Sequence, residues 1–189
     1  NPSTQVRILT ALGGLGLNVQ TGTDCTSVVA DLIGKHDGPT VLLRADTDAL
    51  PMTEDSGLDF QSAVEGRAHA CGHDAHTAML VGAARVLSTR RDEIQGRVRF
   101  MFQPGEEGFA GARIMIDEGV LDGVDRAFAL HVSPNQRIGI ASSKAGAALA
   151  GDTSITVTIT GRGGHASAPH HATDPIPATA AIITALQTA

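Results

Sequence analysis

Apolar and polar positions run along the chain in short blocks whose period changes between that of a strand and that of a helix. Val41-Leu42-Leu43 is a short apolar run of the buried-strand type. Gly96 to Phe102 alternates and places Val98, Phe100 and Phe102 on one face. Arg126 to Val132 is a further short apolar run. Between these, Asp74 to Ser88 is rich in Ala, Met and Leu and predicts a helix with Asp74 as its N-cap. Ala112 to Glu118 predicts a second helix, stopped by Gly119. Strands alternating with helical stretches define an α/β fold, a sheet covered by helices.

The character changes near Ala145 to Gly151, where small residues dominate. In Thr153 to Thr160 the residues Ile155, Val157 and Ile159 share one face and threonines the other, which predicts a strand of a half-solvated antiparallel sheet. From Asp174 onward the pattern is helical, with Pro175 at the first position. One strand and one helix do not complete a domain. The expected division is residues 1–148 for a main domain and 149–189 for the beginning of a second one. With no initiator Met, the chain reads as a piece of something longer.

Composition narrows the classes. The chain has 189 residues, 42% of them apolar and 18% charged, which is a globular rather than a disordered composition. The net charge is −6 and no basic run exceeds Arg90-Arg91, so nucleic acid is not an expected partner. No apolar run approaches the roughly 18 residues of a membrane helix, and the first residues lack the pattern of a signal peptide. A soluble, cytoplasmic protein with no membrane partner is the expectation. Cys25 and Cys71 are the only cysteines. A chain of this size needs no disulfide staple, and Cys71 within Cys-Gly-His points to metal or catalysis instead.

The densest polar cluster is His69-Ala70-Cys71-Gly72-His73-Asp74-Ala75-His76. Thiolate and imidazole are ligands that zinc and similar ions prefer, and Gly72 lets the backbone turn so that Cys71 and His73 face one point. The N-terminus of the following helix is expected to favour a Cys71 thiolate. His69 and His76 read as supporting or surface residues. A buried structural cysteine beside surface histidines is the plainer alternative. Glu106 and Glu107 follow the alternating strand in Gln103-Pro104-Gly105-Glu106-Glu107-Gly108. Adjacent carboxylates repel, and that cost is tolerated where one binds a cation and the other moves a proton; a solvated acidic turn is the alternative. Asp46 and Asp48 end the Val41 strand on one face, and His131 follows the Ala127–Leu130 run. Four strand ends thus carry metal-type side chains at the edge where α/β sheets place ligands. Gly161-Arg162-Gly163-Gly164-His165-Ala166 formally fits a dinucleotide fingerprint, but it opens no helix, and we read His165 as a histidine on a flexible glycine loop.

Five blocks, Arg44 to Pro51, His69 to Thr77, Phe102 to Gly108, Leu130-His131-Val132 and Gly161 to Ala166, closely resemble the M20 metallopeptidase family in order and spacing, in particular its amidohydrolase subfamily. The resemblance implies a catalytic α/β domain with a mixed sheet, two divalent ions (Zn, Mn, Ni or Co), and a smaller α+β lid or dimerisation domain. It implies metal ligands at Cys71, His73, Glu107 and His131, a general base at Glu106, and an oxyanion donor at His165. Asp46 lies where other branches place a ligand histidine, so Asp46 and Asp48, with Asp74, take supporting roles. The implied substrate is an N-acyl amino acid or related small amide, and the implied assembly a homodimer through the lid. A further downstream histidine ligand and most of the lid have no counterpart among these residues. Two other readings stay open: a cysteine hydrolase with Cys71 as nucleophile and His73 or His131 as base, and a noncatalytic form that binds metal or a partner without turnover.

Overall fold

A computed structural model describes residues 1–151 and 154–187. The elements in chain order are α1 (Pro2–Leu12), β1 (Asn18–Thr21), β2 (Val28–Ile33), β3 (His36–Asp46), α2 (His73–Thr89), β4 (Gln95–Gln103), α3 (Gly111–Asp117), β5 (Arg126–Ala129) and α4 (Pro175–Leu186). Five strands form one sheet in the order β1-β2-β4-β3-β5. Strands β3, β4 and β5 run parallel, while β1 and β2 are antiparallel to their neighbours. The expected mixed sheet with helices is therefore present.

Both faces of the sheet are covered along its inner strands, for reasons visible in the side chains, while the edge strands β1 and β5 are exposed. On one face Val28, Ala30, Leu32, Ala45, Phe100 and Phe102 pack against Ile8 and Leu12 of α1 and Leu80 and Ala84 of α2. On the other, Leu42 and Met101 meet Met115 of α3 and Val120. Because both faces are buried at the end of β4, Phe100, Met101, Phe102 and Gln103 are all enclosed, and the alternation seen earlier in the strand gives way to a continuous buried run.

The parallel register fixes where the chemistry collects. Asp46 lies opposite Gln103, and Arg44 lies opposite both Met101 and Ala129. The three strands therefore end at nearly one level, and the residues that follow them emerge at one edge.

Several expectations are corrected. Helix α2 begins at His73, and its N-cap is Gly72 in a left-handed conformation (φ 83°) rather than Asp74. A Cβ at position 72 would collide with the side chain of Val132, so glycine is required both for the turn and for the approach of the chain leaving β5. Asp74 is exposed and accepts a hydrogen bond from the Ala75 N–H at 2.9 Å. Strand β5 stops at Ala129, and Leu130 to Val132 leave the ladder. The strand expected over Thr153 to Thr160 is not formed among the described residues 154–160, and Thr153 lies outside them. A strand needs a ladder partner, and the bridge found nearby joins Arg162 to Thr173. Helix α4 matches its expectation, with the Asp174 carboxylate accepting from the Ile176 N–H at 2.9 Å; Thr188 and Ala189 lie outside the described residues.

The chain divides into two compact units, Asn1–Arg137 and Ile138–Ala189, earlier than the division expected at 148/149. Among the described residues of the second unit none is buried.

Phe100 is fully enclosed between β2, β3 and the helices. Its replacement by alanine should cost about 3–5 kcal/mol of stability through lost burial and the cavity left behind. Denaturant unfolding of the Phe100→Ala protein checks this, with a midpoint shift at constant slope as the expected result.

Candidate metal centre

The site is assembled at the shared edge of β3, β4 and β5. Strand β3 ends in Asp46 and the residues after it deliver Asp48, the Gly72 turn delivers Cys71 and His73, the turn after β4 delivers Glu106 and Glu107, and the segment after β5 delivers His131. Potential ligand atoms lie within 4.8 Å of one another in three overlapping groups: Cys71, His73 and His131; His73, Glu106 and Glu107; and Asp46, His73 and His76. His73 belongs to all three.

The hydrogen bonds fix which atoms are available. The His73 Nδ1 lies 3.0 Å from the backbone carbonyl oxygen of Asp48, which can only accept, so this nitrogen carries the proton. The other ring nitrogen, Nε2, then presents a lone pair. It is buried, makes no hydrogen bond, and lies 3.5 Å from Asp46 Oδ2 and 3.9 Å from Glu107 Oε1. An unpaired polar atom on a residue only 1% exposed is costly unless something binds it, and a metal ion fits that requirement. His131 follows the same logic. Its Nδ1 donates to the Val132 carbonyl at 2.7 Å, leaving Nε2 to face the Cys71 sulfur at 3.3 Å. Imidazoles anchored through one nitrogen with the other turned into the site are the usual form of metal-ligating histidine; His73 Nε2 is unpaired there, whereas His131 Nε2 is paired with the Cys71 sulfur.

Asp48 supports this arrangement from behind. Its carboxylate accepts the Glu107 N–H at 3.0 Å, and its backbone oxygen holds His73. Asp46 is 1% exposed and takes Arg44 on Oδ2 at 2.8 Å and His76 on Oδ1 at 2.6 Å. Burial opposes its charge, but the His76 hydrogen bond and the charges of Arg44, His73 and His76 outweigh that and hold its pKa below the usual carboxylate value. Glu107 is partly shielded and Glu106 is exposed, so the two adjacent carboxylates stand in different surroundings.

Cys71 departs from the expectation of a helix-stabilised thiolate. Burial pushes its thiol up first, and the Glu107 carboxylate beside it, then Glu106 and Asp46, push it further. Burial and the neighbouring carboxylates thus act against the thiolate. This weakens the cysteine-nucleophile reading, which requires a lowered pKa. It suits a site that expects a cation, since a metal deprotonates a coordinating thiol outright.

His69 is half-buried, and its Nδ1 has no partner. With Asp48, Arg67, Phe109 and Ile114 it lines a cavity of about 690 Å³, within the range of small-molecule sites. His76, read from the sequence as a supporting or surface residue, is buried and hydrogen-bonded at both nitrogens. Its position one helical turn after His73 was the available signal. His165 belongs to the second unit, where it is exposed. Its Nδ1 accepts from the Ser167 N–H at 3.2 Å, with the Ser167 hydroxyl at 2.8 Å, so the neutral ring carries its proton on Nε2, a free donor.

Comparison with known proteins gives this geometry a family. The chain matches the peptidase family M20/M25/M40 over residues 42–189. It is 46% identical over 162 residues to an N-acetylcysteine deacetylase of Bacillus subtilis (strain 168), covering 86% of this chain and 43% of the relative. It is also 46% identical over 166 residues to an N-acyl-L-amino acid amidohydrolase of Geobacillus stearothermophilus, covering 86% and 44%. Among solved structures it is similar to the Bacillus subtilis YXEP protein, described as a dinuclear metal binding peptidase, with a TM-score of 0.68 and 44% identity over 70% of this chain and 37% of that one. The chain belongs to the M20 peptidase family. It spans less than half the length of the curated relatives it matches.

If Cys71 is a ligand, Cys71→Ala should lower the divalent metal retained by the protein after reconstitution and dialysis. Elemental analysis of both proteins reads this directly, and equal metal content in the two would remove Cys71 from the ligand set.

Proposed function

We propose that the protein carrying this chain is a metal-dependent amidohydrolase that cleaves the amide bond of N-acyl amino acids or related small amides. The observation that carries this reading is the buried, unpaired Nε2 of His73 at the meeting point of Cys71, His131, Glu106 and Glu107. Names of relatives support the substrate class: an N-acetylcysteine deacetylase and an N-acyl-L-amino acid amidohydrolase share nearly half of the aligned residues.

In this reading Cys71, His73, Glu107 and His131 hold the metal, and Asp46 and Asp48 hold the ligands. Asp74, on the exposed side of the first helical turn, contributes negative charge near the same edge. Two divalent ions, when bound, would acidify a water molecule and polarise the amide carbonyl. A mixed thiolate, imidazole and carboxylate set suits Zn, Mn, Ni or Co, with supply and geometry deciding among them. Glu106, the more exposed of the two adjacent glutamates, takes the proton from the attacking water and delivers it to the leaving amine nitrogen. The exposed Nε2–H of His165 is suited to hydrogen-bond the oxyanion. Residues 149–189 would then form the start of the lid, with a homodimer through that lid and a cytoplasmic location completing the reading.

The adjacent glutamates separate cleanly by substitution in the full-length protein. Glu106→Gln should keep its metal and lose about 10²–10⁴-fold in kcat, whereas Glu107→Gln should lose metal as well; the reverse pattern would exchange their roles. His165→Ala should lower kcat by about 10²–10³-fold with metal content unchanged. Steady-state hydrolysis of N-acetyl amino acids together with metal analysis reads all three. A metal-replete wild type that hydrolyses none of a panel of N-acyl amino acids would overturn the proposed activity.

A further inference from the structure

Among the described residues His76 is a buried histidine at this edge to which no ligand or catalytic role falls, and both of its ring nitrogens are committed. Its Nε2 accepts the backbone N–H of Val132 at 2.9 Å, which places the ring proton on Nδ1, and Nδ1 donates to Asp46 Oδ1 at 2.6 Å. No lone pair is left for a metal, so His76 is not a ligand even though it stands within ligand distance of His73 and Asp46. What it joins is specific. Val132 follows His131 directly, and its carbonyl accepts from His131 Nδ1 at 2.7 Å. Asp46 presents its other oxygen to Arg44 at 2.8 Å and lies 3.5 Å from His73 Nε2. The His76 ring is stacked on His73 with centroids 5.6 Å apart and meets His131 edge-on at 4.6 Å.

We propose that His76 is a positioning residue of the metal centre: it clamps the end of β3 to the segment leaving β5 and so sets the directions in which His73 and His131 offer Nε2. This rests on the reading of Cys71, His73, Glu107 and His131 as ligands. Without the clamp, Val132 and with it the His131 carbonyl anchor are free to shift. Asp46 would then lose the bond on its Oδ1 and be free to turn towards His73. A histidine that merely fills the core would do neither, and an apolar residue of similar size would replace it.

The test uses the full-length protein loaded with Co²⁺, whose thiolate charge-transfer band reports the geometry around Cys71. His76→Leu should weaken Co²⁺ binding about 10–100-fold, the usual effect of removing a residue that orients a ligand, and should shift the band. His76→Gln, which keeps one hydrogen-bonding end, should recover part of the affinity. A folded His76→Leu protein with unchanged affinity and band would overturn the proposal. Should that variant fail to fold, nitrogen NMR of the wild type decides: a His76 ring protonated at Nδ1 and bare at Nε2, with and without metal, supports the clamp. Protonation at Nε2, or coupling of either nitrogen to bound ¹¹³Cd, overturns it. Affinity, spectrum and tautomer are read without turnover, so a failure of the clamp is distinguishable from a failure of the proposed amide hydrolysis.

Discussion

The constraint on which the site depends is the buried carboxylate of Asp46. An ionised group 1% exposed at the end of a central strand must be compensated by neighbours. Compensation comes from Arg44 on its own strand and His76 from α2, which bond the two carboxylate oxygens, while the Thr77 hydroxyl of α2 donates to the Asp46 backbone oxygen at 3.1 Å. Satisfying Asp46 therefore locks the start of α2 onto the end of β3. Arg44 in turn donates to Gln103 Oε1 at 2.9 Å, which ties in the end of β4. The same bonds that neutralise one buried charge fix the elements carrying Cys71, His73 and the Glu106–Glu107 turn.

Around that anchor the site is electrostatically incomplete. Asp46 has its own partners, but Glu106 and Glu107 add negative charge near a thiol that is pushed towards protonation. His73 and His131 each have a donated Nδ1 proton and an Nε2 lone pair. These lone pairs and carboxylates converge into a field that a metal ion completes. The buried unpaired His73 Nε2 and the raised Cys71 thiol are each unfavourable alone, and a cation bound between them would relieve both.

Much of this was legible in the chain, unevenly. Strand β4 and helix α2 follow from periodicity because their apolar positions repeat regularly, and the clustering of Cys71, His73 and the glutamate pair is visible as spacing. Helix α1 and strands β1 and β2 escaped. Val28 to Ile33 lacks a clear polar alternation, and its strand character comes from pairing with β4, a long-range contact that local pattern does not carry. The Gly72 cap was hidden because its requirement comes from Val132, far along the chain and beyond β5. The sense of the Cys71 shift was hidden as well, since it comes first from burial and then from carboxylates carried by Asp46 at the end of β3 and by the turn after β4. His76 could be read only as a supporting or surface residue because its two partners lie on β3 and beyond β5.

In the proposed centre Cys71 and His131 offer their sulfur and Nε2 to the same ion beside His73. X-ray absorption at the metal edge of the loaded protein tests it most directly. The expected result is a sulfur scatterer at about 2.3 Å together with nitrogen or oxygen neighbours at about 2.0–2.2 Å that include imidazole. A shell of oxygen and nitrogen alone, with no sulfur, would contradict it.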